Sequence, residues 1–235
     1  MLYLLSGFVL GFFIPYIARR FAKIMQETPT FAYALYRIFS PTVKVSKAKR
    51  LSNHKYIQLQ NKYFMRSLGW AIVTASIFMV IHVALPNDEA IWLIFFASIL
   101  LILTEIDKRI QYLPDILTSP LLISGFAYAS FSGLLLGNTT VEAVENSSLG
   151  AIFGYLIPVI ASLLMIKKHP DNMGGGDIKI LAAIGAWLGL ANIPFIILLS
   201  CLTFAVSFYI TKKRVDAFGP SIVLATLLIL FILIC

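Results

Sequence analysis

The chain has 235 residues, 59% of them apolar and 13% charged, and apolar segments of membrane length recur from Leu2 to Cys235. A transmembrane β-barrel is excluded, because barrel strands alternate apolar and polar residues in short segments. Long unbroken apolar runs satisfy their backbone groups in lipid only as helices. The predicted fold class is therefore all-α, a polytopic transmembrane helical bundle.

About eight spans are predicted from the lengths of the apolar runs. They lie at residues 2–18, 68–85, 90–106, 116–136, 148–166, 178–191, 193–210 and 218–235. Little more than Asn192 and Pro194 separates the sixth span from the seventh, so a single broken helix is the alternative there.

Basic residues predict the orientation. Arg19 and Arg20 follow the first apolar run and no basic segment precedes it, so this run is interpreted as a retained helix with its N-terminus outside. Alternation then places 18 of the 19 Lys and Arg residues in the inner segments 19–67, 107–115, 167–177 and 211–217. The charged residues of the outer loops are all acidic: Asp88, Glu89, Glu142 and Glu145. The net charge of +8 thus reflects topology, and nucleic acid is not expected as a partner, whereas anionic lipid is.

Two acidic stretches lie on this inner side. In LTEIDKRIQYLPDILTSPLL, Asp107 ends the third span near a helix C-terminus, where the helix dipole disfavours an anion. A salt bridge to a nearby Lys or Arg is the alternative to a catalytic role. Glu105 is two positions away and cannot share its helix face, so one of the two is expected to point into the bundle. Pro114 opens the next helix, and Asp115 is explained as a helix-start charge.

The second stretch, MGGGDIKILAAIGAWLG, places glycines directly before an apolar helix. Gly174 to Gly176 permit a tight loop and close approach of another backbone. Asp177 then stands at the helix start, where capping of orphan amides is the alternative to catalysis. Lys179 either supports the site or extends its charge to the membrane surface.

These two stretches resemble the paired aspartate motifs of the type IV prepilin peptidases, bacterial members of the GxGD membrane aspartyl proteases. AFGP at residues 217–220 is similar to an element at the start of the family's last helix, and SGFVLGFFIPYIARR is a weaker match to its first. The resemblance implies a peptidase core at 90–235 with Asp107 and Asp177 as the catalytic pair. The supporting residues that it implies are Gly174, Gly176, Lys179, Asp115, Pro114, Gly219 and Pro220.

The chemistry of paired carboxylates agrees with a peptidase. Two carboxylates held close share one proton, so one takes a proton from water while the other donates one to the scissile carbonyl. Which aspartate acts as acid stays open, because a coupled pair titrates as a unit. Cys201 and Cys235 form no CxxC motif, and neither HExxH nor Gly-x-Ser-x-Gly occurs.

Residues 1–89 match the family loosely. Longer family members carry paired-cysteine zinc motifs in the first cytoplasmic loop, together with an acidic residue associated with N-methylation. Residues 19–67 contain no cysteine, Arg66 stands where that acid is expected, and Glu27 is the only carboxylate of the loop. No metal is therefore expected, the peptidase needs no cofactor, and S-adenosylmethionine is required only if methylation is retained.

The resemblance implies a prepilin or pseudopilin as substrate, with a basic leader in the cytoplasm and an apolar helix in the bacterial inner membrane. A proton-coupled transporter is one alternative, but it should show mid-bilayer acids and inverted repeats, and neither is evident. An inactive assembly protein is the other, and the intact aspartates argue against it.

Overall fold

The computed structural model describes residues 1–27, 53–137, 139–165, 174–211 and 217–235, which contain helices and no strand. Each predicted span coincides with one of these helices, so the predicted all-α bundle is confirmed. The helices are α1 Leu2–Glu27, α2 Asn53–Ala84, α3 Asn87–Ile110, α4 Asp115–Phe131, α5 Thr140–Met165, α6 Gly175–Leu188, α7 Ile193–Thr211 and α8 Gly219–Ile234.

Five of these helices contain segments long and apolar enough to cross a membrane, which makes the chain a multi-pass membrane protein. The segments are Leu2–Ala22, Asn61–Ala84, Asn87–Ile110, Thr140–Leu164 and Leu190–Ile210. The helices α4, α6 and α8 are shorter, with 17, 14 and 16 residues. Parts of three predicted inner segments, residues 28–52, 167–173 and 212–216, lie outside the described residues.

The sixth and seventh spans are two helices, as predicted, because Gly189 has a φ of 77° and the 3-10 turn Leu190–Asn192 separates α6 from α7. The alternative of a single broken helix is excluded. One predicted detail is wrong. The outer acids do not lie in loops: Asp88 and Glu89 form the first turn of α3, while Glu142 and Glu145 lie within α5. Asp88, Glu89 and Glu142 lie in first helical turns, where the positive end of the helix dipole stabilises an acid.

The chain forms two compact units, residues 1–80 and 81–235. In the first unit, glycines of α1 allow close approach to α2. A Cβ atom added at Gly11 would lie 2.6 Å from Thr74 Oγ1, and one added at Gly7 would lie 2.9 Å from the Ala75 Cα atom. The two helices therefore pack through backbone contact at these glycines.

In the second unit, α6 forms the centre, and all its residues from Ile180 to Leu188 are buried. Gly185 lies directly against Gly150 of α5, with no space for a side chain on either residue. Trp187 is fully buried, stacks on Phe96 of α3, and donates a hydrogen bond from its indole N–H to the Leu121 carbonyl of α4 at 2.8 Å. The aspartate at the start of α6 is thus carried by a tightly held helix.

Candidate active site

Asp107 lies in the last turn of α3, and its side chain is only 4% exposed. Glu105 is also fully buried, so both acids are buried where one was expected to be. The Arg109 side chain donates hydrogen bonds at 2.7 and 2.9 Å to the Glu105 carboxylate, which compensates that buried charge. Arg109 thus pairs with Glu105, the other acid of this stretch.

The backbone of Gly219 compensates Asp107. The N–H of Gly219, at the start of α8, donates a hydrogen bond of 3.0 Å to Asp107 Oδ2. A Cβ atom added at Gly219 would lie 2.6 Å from that oxygen, closer than van der Waals contact permits. Pro220 follows in the first turn of α8, where its missing N–H costs nothing. The AFGP element therefore places a helix N-terminus against the carboxylate.

Gln111 ends α3 in a left-handed backbone conformation, with a φ of 51°. It is the only non-glycine residue with positive φ in the described part of the chain. Its N–H donates to the Asp107 carbonyl at 2.8 Å, which closes the helix. The chain then turns through Leu113 and Pro114 into α4. Sequence reasoning did not identify this turn, because glutamine carries no signal for positive φ.

Asp177 lies in the first turn of α6, ahead of the predicted apolar span 178–191, and its side chain is partly buried. Burial raises the pKa of this carboxyl from its ordinary value of 3.8 to about 7, and the neighbouring Asp107 carboxylate adds to the rise. A hydrogen bond involving the Gly174 backbone acts in the opposite direction. Near neutral pH, Asp177 is thus able to hold a proton.

Asp107 and Asp177 line the same cavity, which has a volume of about 510 Å³. Gln111, Gly174 and Phe218 line it beside the aspartates. The remaining walls are mostly apolar, and the residues that form them are Ile157, Pro158, Ala161, Leu181, Ile197, Ser200, Cys201, Phe204 and Ala217. The structure thus brings together two carboxyl groups, from α3 and α6, at an apolar cavity.

The glycines at the start of α6 differ in their surroundings. A Cβ atom added at Gly176 would lie 2.8 Å from the Leu113 Cβ atom, whereas one at Gly175 would meet nothing within 4 Å. A Cβ atom at Gly174 would lie 3.3 Å from Asp177 Oδ2. Gly176 therefore permits close approach to the leucine of the first aspartate motif. Its φ is not in the left-handed region, so conformational freedom is not what position 176 requires.

Two further predicted residues form an ion pair between α6 and α4. Lys179 Nζ contacts both carboxylate oxygens of Asp115, at 2.7 and 2.8 Å, and both side chains are about half exposed. Asp115 lies in the first turn of α4, directly after Pro114 as N-cap residue. Neither charged side chain lines the cavity. The pair therefore joins the starts of the two helices outside the cavity that holds the aspartates.

Metal-ligating side chains are not clustered in the part of the chain that the structure describes. No group of three or more His, Cys, Asp or Glu residues there is arranged to hold a metal ion. Cys201 and Cys235 are both free thiols. The two aspartates thus provide the carboxyl groups of the cavity.

Fold and site define a multi-pass helical membrane protein with two carboxyl groups at one apolar cavity. A model of the type IV leader peptidase family matches residues 94–209, which include both aspartates. The chain is similar to this family over 116 of its 235 residues, just under half of its length.

Three relatives are each named as a prepilin leader peptidase/N-methyltransferase. The protein of Neisseria gonorrhoeae is 34% identical over 129 residues, 53% of this chain and 43% of its own. That of Vibrio cholerae is 27% identical over 175 residues, 72% of this chain and 65% of its own. That of Escherichia coli is 27% identical over 235 residues, 97% of this chain and 93% of its own. The chain thus spans less than two thirds of the first two relatives. No solved structure matches it.

Proposed function

We propose that this protein is a membrane aspartyl endopeptidase that removes the leader from type IV prepilins or pseudopilins. The observation that carries the proposal is the position of Asp107 and Asp177 at one apolar cavity. The match to the family model and the names of the relatives support the same substrate class.

Peptide hydrolysis at this pair needs one proton shared between two carboxyl groups. The ionised carboxylate takes a proton from water as the water oxygen attacks the scissile carbonyl carbon, and the protonated partner donates to the carbonyl oxygen. Collapse of the tetrahedral intermediate breaks the C–N bond, and the amine leaves with a proton returned from the pair. The raised pKa of Asp177 is consistent with a proton retained near neutral pH.

The proposed cleavage takes place at the cytoplasmic face of the bacterial inner membrane, with the N-terminus of the enzyme outside. The support for this orientation is the concentration of 18 of the 19 basic residues in segments on one side. Asp107 and Asp177 lie on that same side. A basic leader and an apolar substrate helix meet at this depth, where the cavity combines charged and apolar groups.

Residues 1–89 are proposed to lack the zinc-supported methyltransferase region of longer family members, leaving residues 90–235 as the peptidase core. The support is the absence of cysteine from residues 19–67. The Escherichia coli relative carries N-methyltransferase in its name, so methylation needs its own measurement.

A proton-coupled transporter is the rival function. Glu105 is a fully buried acid of α3, but Arg109 neutralises it, and it lies about 8 Å from the end of the helix rather than at its centre. A relay acid near mid-bilayer is the feature that such a transporter requires. The observed ion pair therefore does not favour transport.

Co-expression tests the proposal. A strain without its own prepilin peptidase is given this protein and a prepilin, and the product is examined by electrophoresis and intact mass. Loss of the leader mass is expected with wild-type protein and not with Asp177→Asn. An uncut prepilin beside correctly inserted wild-type protein would exclude the peptidase.

A further inference from the structure

The cavity continues away from the aspartates between α5 and α7. We call this part the α5–α7 groove, lined by Pro158, Ala161, Ile197, Ser200, Cys201 and Phe204. We propose that it holds the first two helical turns of the substrate's apolar segment after the scissile bond. This inference rests on the proposed function and specifies how that same site recognises its substrate.

The α7 wall of the groove is one face of a helix. Ile197, Ser200, Cys201 and Phe204 are spaced at i, i+3, i+4 and i+7, which places them on one stripe along α7. Cys201 is exposed although it lies in the middle of the bundle-facing stripe. A stripe of this kind is the surface on which another apolar helix packs.

The α5 wall lies opposite. Pro158 and Ala161 face the cavity, and Ala161 is exposed. Direct contacts between α5 and α7 are few, since α5 packs mainly on α6 and α7 mainly on α8. Two helices that flank a cavity without closing it leave an opening that a third helix can enter from the bilayer.

The position of the groove selects the substrate segment. The stripe from Ile197 to Phe204 spans eight residues and extends about 10 Å along α7, or two turns of helix. Phe204 is nearer the C-terminal end of α7 and contacts Phe218, which lines the cavity beside the aspartates, whereas Ile197 is nearer the opposite end of the helix. When the scissile bond of the substrate lies beside Asp107 and Asp177, its apolar segment therefore lies in the groove.

The chemistry of the walls favours that occupant over the leader. The stripe contains one hydroxyl and no charged group, and the Ser200 hydroxyl already donates to the Ile196 carbonyl of its own helix. A basic leader would lose its hydration there without gaining a partner. The apolar segment loses nothing, so the groove accepts the residues after the cut and leaves the leader outside the bilayer.

Disulfide cross-linking tests the occupant, because Cys201 is a natural probe inside the groove. Full-length Asp177→Asn protein is co-expressed with a prepilin that the wild-type chain cleaves. The prepilin carries one cysteine at each of the first eight positions after the cleavage site in turn. Oxidation of the membranes with copper phenanthroline is expected to join Cys201 to positions on one helical face, three or four residues apart.

Cys201→Ser is expected to abolish these cross-links, while Cys235→Ser leaves them unchanged. Cross-links that show no positional preference, or no cross-link to any of the eight positions, would mean that lipid rather than substrate fills the groove. The proposed function is unaffected by that outcome, because the same prepilin is already known to be cut by the wild-type chain.

A pair of tryptophan variants provides an independent measurement. Ala161→Trp fills the groove, whereas Ile160→Trp adds the same ring at a neighbouring exposed position outside the cavity. Cleavage of full-length prepilin by Ala161→Trp is expected to fall about tenfold or more, as for a blocked apolar pocket. Ile160→Trp should stay near the wild-type rate. Equal rates for the two variants would overturn the proposal, since wild-type cleavage establishes the peptidase separately.

Discussion

The backbone N–H of Gly219 donates a hydrogen bond to Asp107 Oδ2 across 112 residues of chain. Asp107 ends its own helix at the negative end of the dipole, which disfavours an anion there. The N-terminus of α8 supplies the opposite field at the same carboxylate. The position that is unfavourable within α3 alone is therefore compensated by another helix.

Gly219→Ala is expected to reduce prepilin cleavage strongly, by about 100-fold if the carboxylate moves by 1 Å. The added methyl group would lie 2.6 Å from Asp107 Oδ2, so either the carboxylate or the start of α8 must shift. Gly175→Ala is the matched control, because its methyl group meets nothing within 4 Å. Cleavage rates of the two variants at equal membrane abundance are the measurement. Equal activity would show that the Gly219 contact is not required.

Asp107→Asn and Asp177→Asn should each lower cleavage by at least about 100-fold, because either change removes one member of the proton-sharing pair. Asp115→Asn is the control from the same sequence motif, and it should cost far less, since Asp115 pairs with Lys179 outside the cavity. Leader removal is read by gel shift and insertion by membrane fractionation. Full activity of Asp107→Asn would assign catalysis to another acid.

Much of the fold follows from the apolar runs, because each run long enough to span a bilayer must be helical. The aspartates were also recognisable from their motifs. The face of α7 at the cavity was not, because almost every residue of that helix is apolar and no periodicity distinguishes Cys201 from the lipid-exposed Leu202. The hydrogen bond that the Gly219 amide donates to Asp107 could likewise not be predicted, since a backbone donor has no sequence signal beyond the glycine.

Gly176→Val should impair cleavage, because its side chain would overlap Leu113, whose Cβ atom lies 2.8 Å from an ideal Cβ at position 176. Leu113 is buried and has little room to move. Gly175→Val carries the same β-branched residue one position earlier in the same helical turn, in open space. Comparison of the two variants isolates the contact from the general cost of valine in a helix. Normal cleavage by Gly176→Val would show that the close approach of position 176 to Leu113 is not required for activity.

The pH dependence of kcat/KM should decline on the alkaline side with a midpoint near pH 7. Burial and then the charge of Asp107 raise the pKa of Asp177 to about 7, so the carboxyl loses its proton as the pH rises through that value. Asp177 then no longer supplies a proton to the scissile carbonyl. Initial cleavage rates of purified enzyme in detergent, measured from pH 5 to about 9, test this. A rate that stays constant across that interval would contradict the shared-proton mechanism.

The last prediction is that leader removal needs no zinc and that the new N-terminus stays unmethylated. Residues 19–67 contain no cysteine, and a structural zinc site of the kind held by paired thiolates requires four ligands of that type or histidine. Chelators should therefore leave cleavage unchanged. Methylation is a separate question, because loss of a zinc-supported loop does not by itself remove a pocket for S-adenosylmethionine. Mass spectrometry of mature pilin made with this protein as the only processing enzyme resolves it. An α-amine that gains a CH₂ group is about 14 Da heavier and stays ionisable, so that mass would establish methyl transfer, whereas the unmodified mass would leave Asp107 and Asp177 as the chemistry that acts on the pilin.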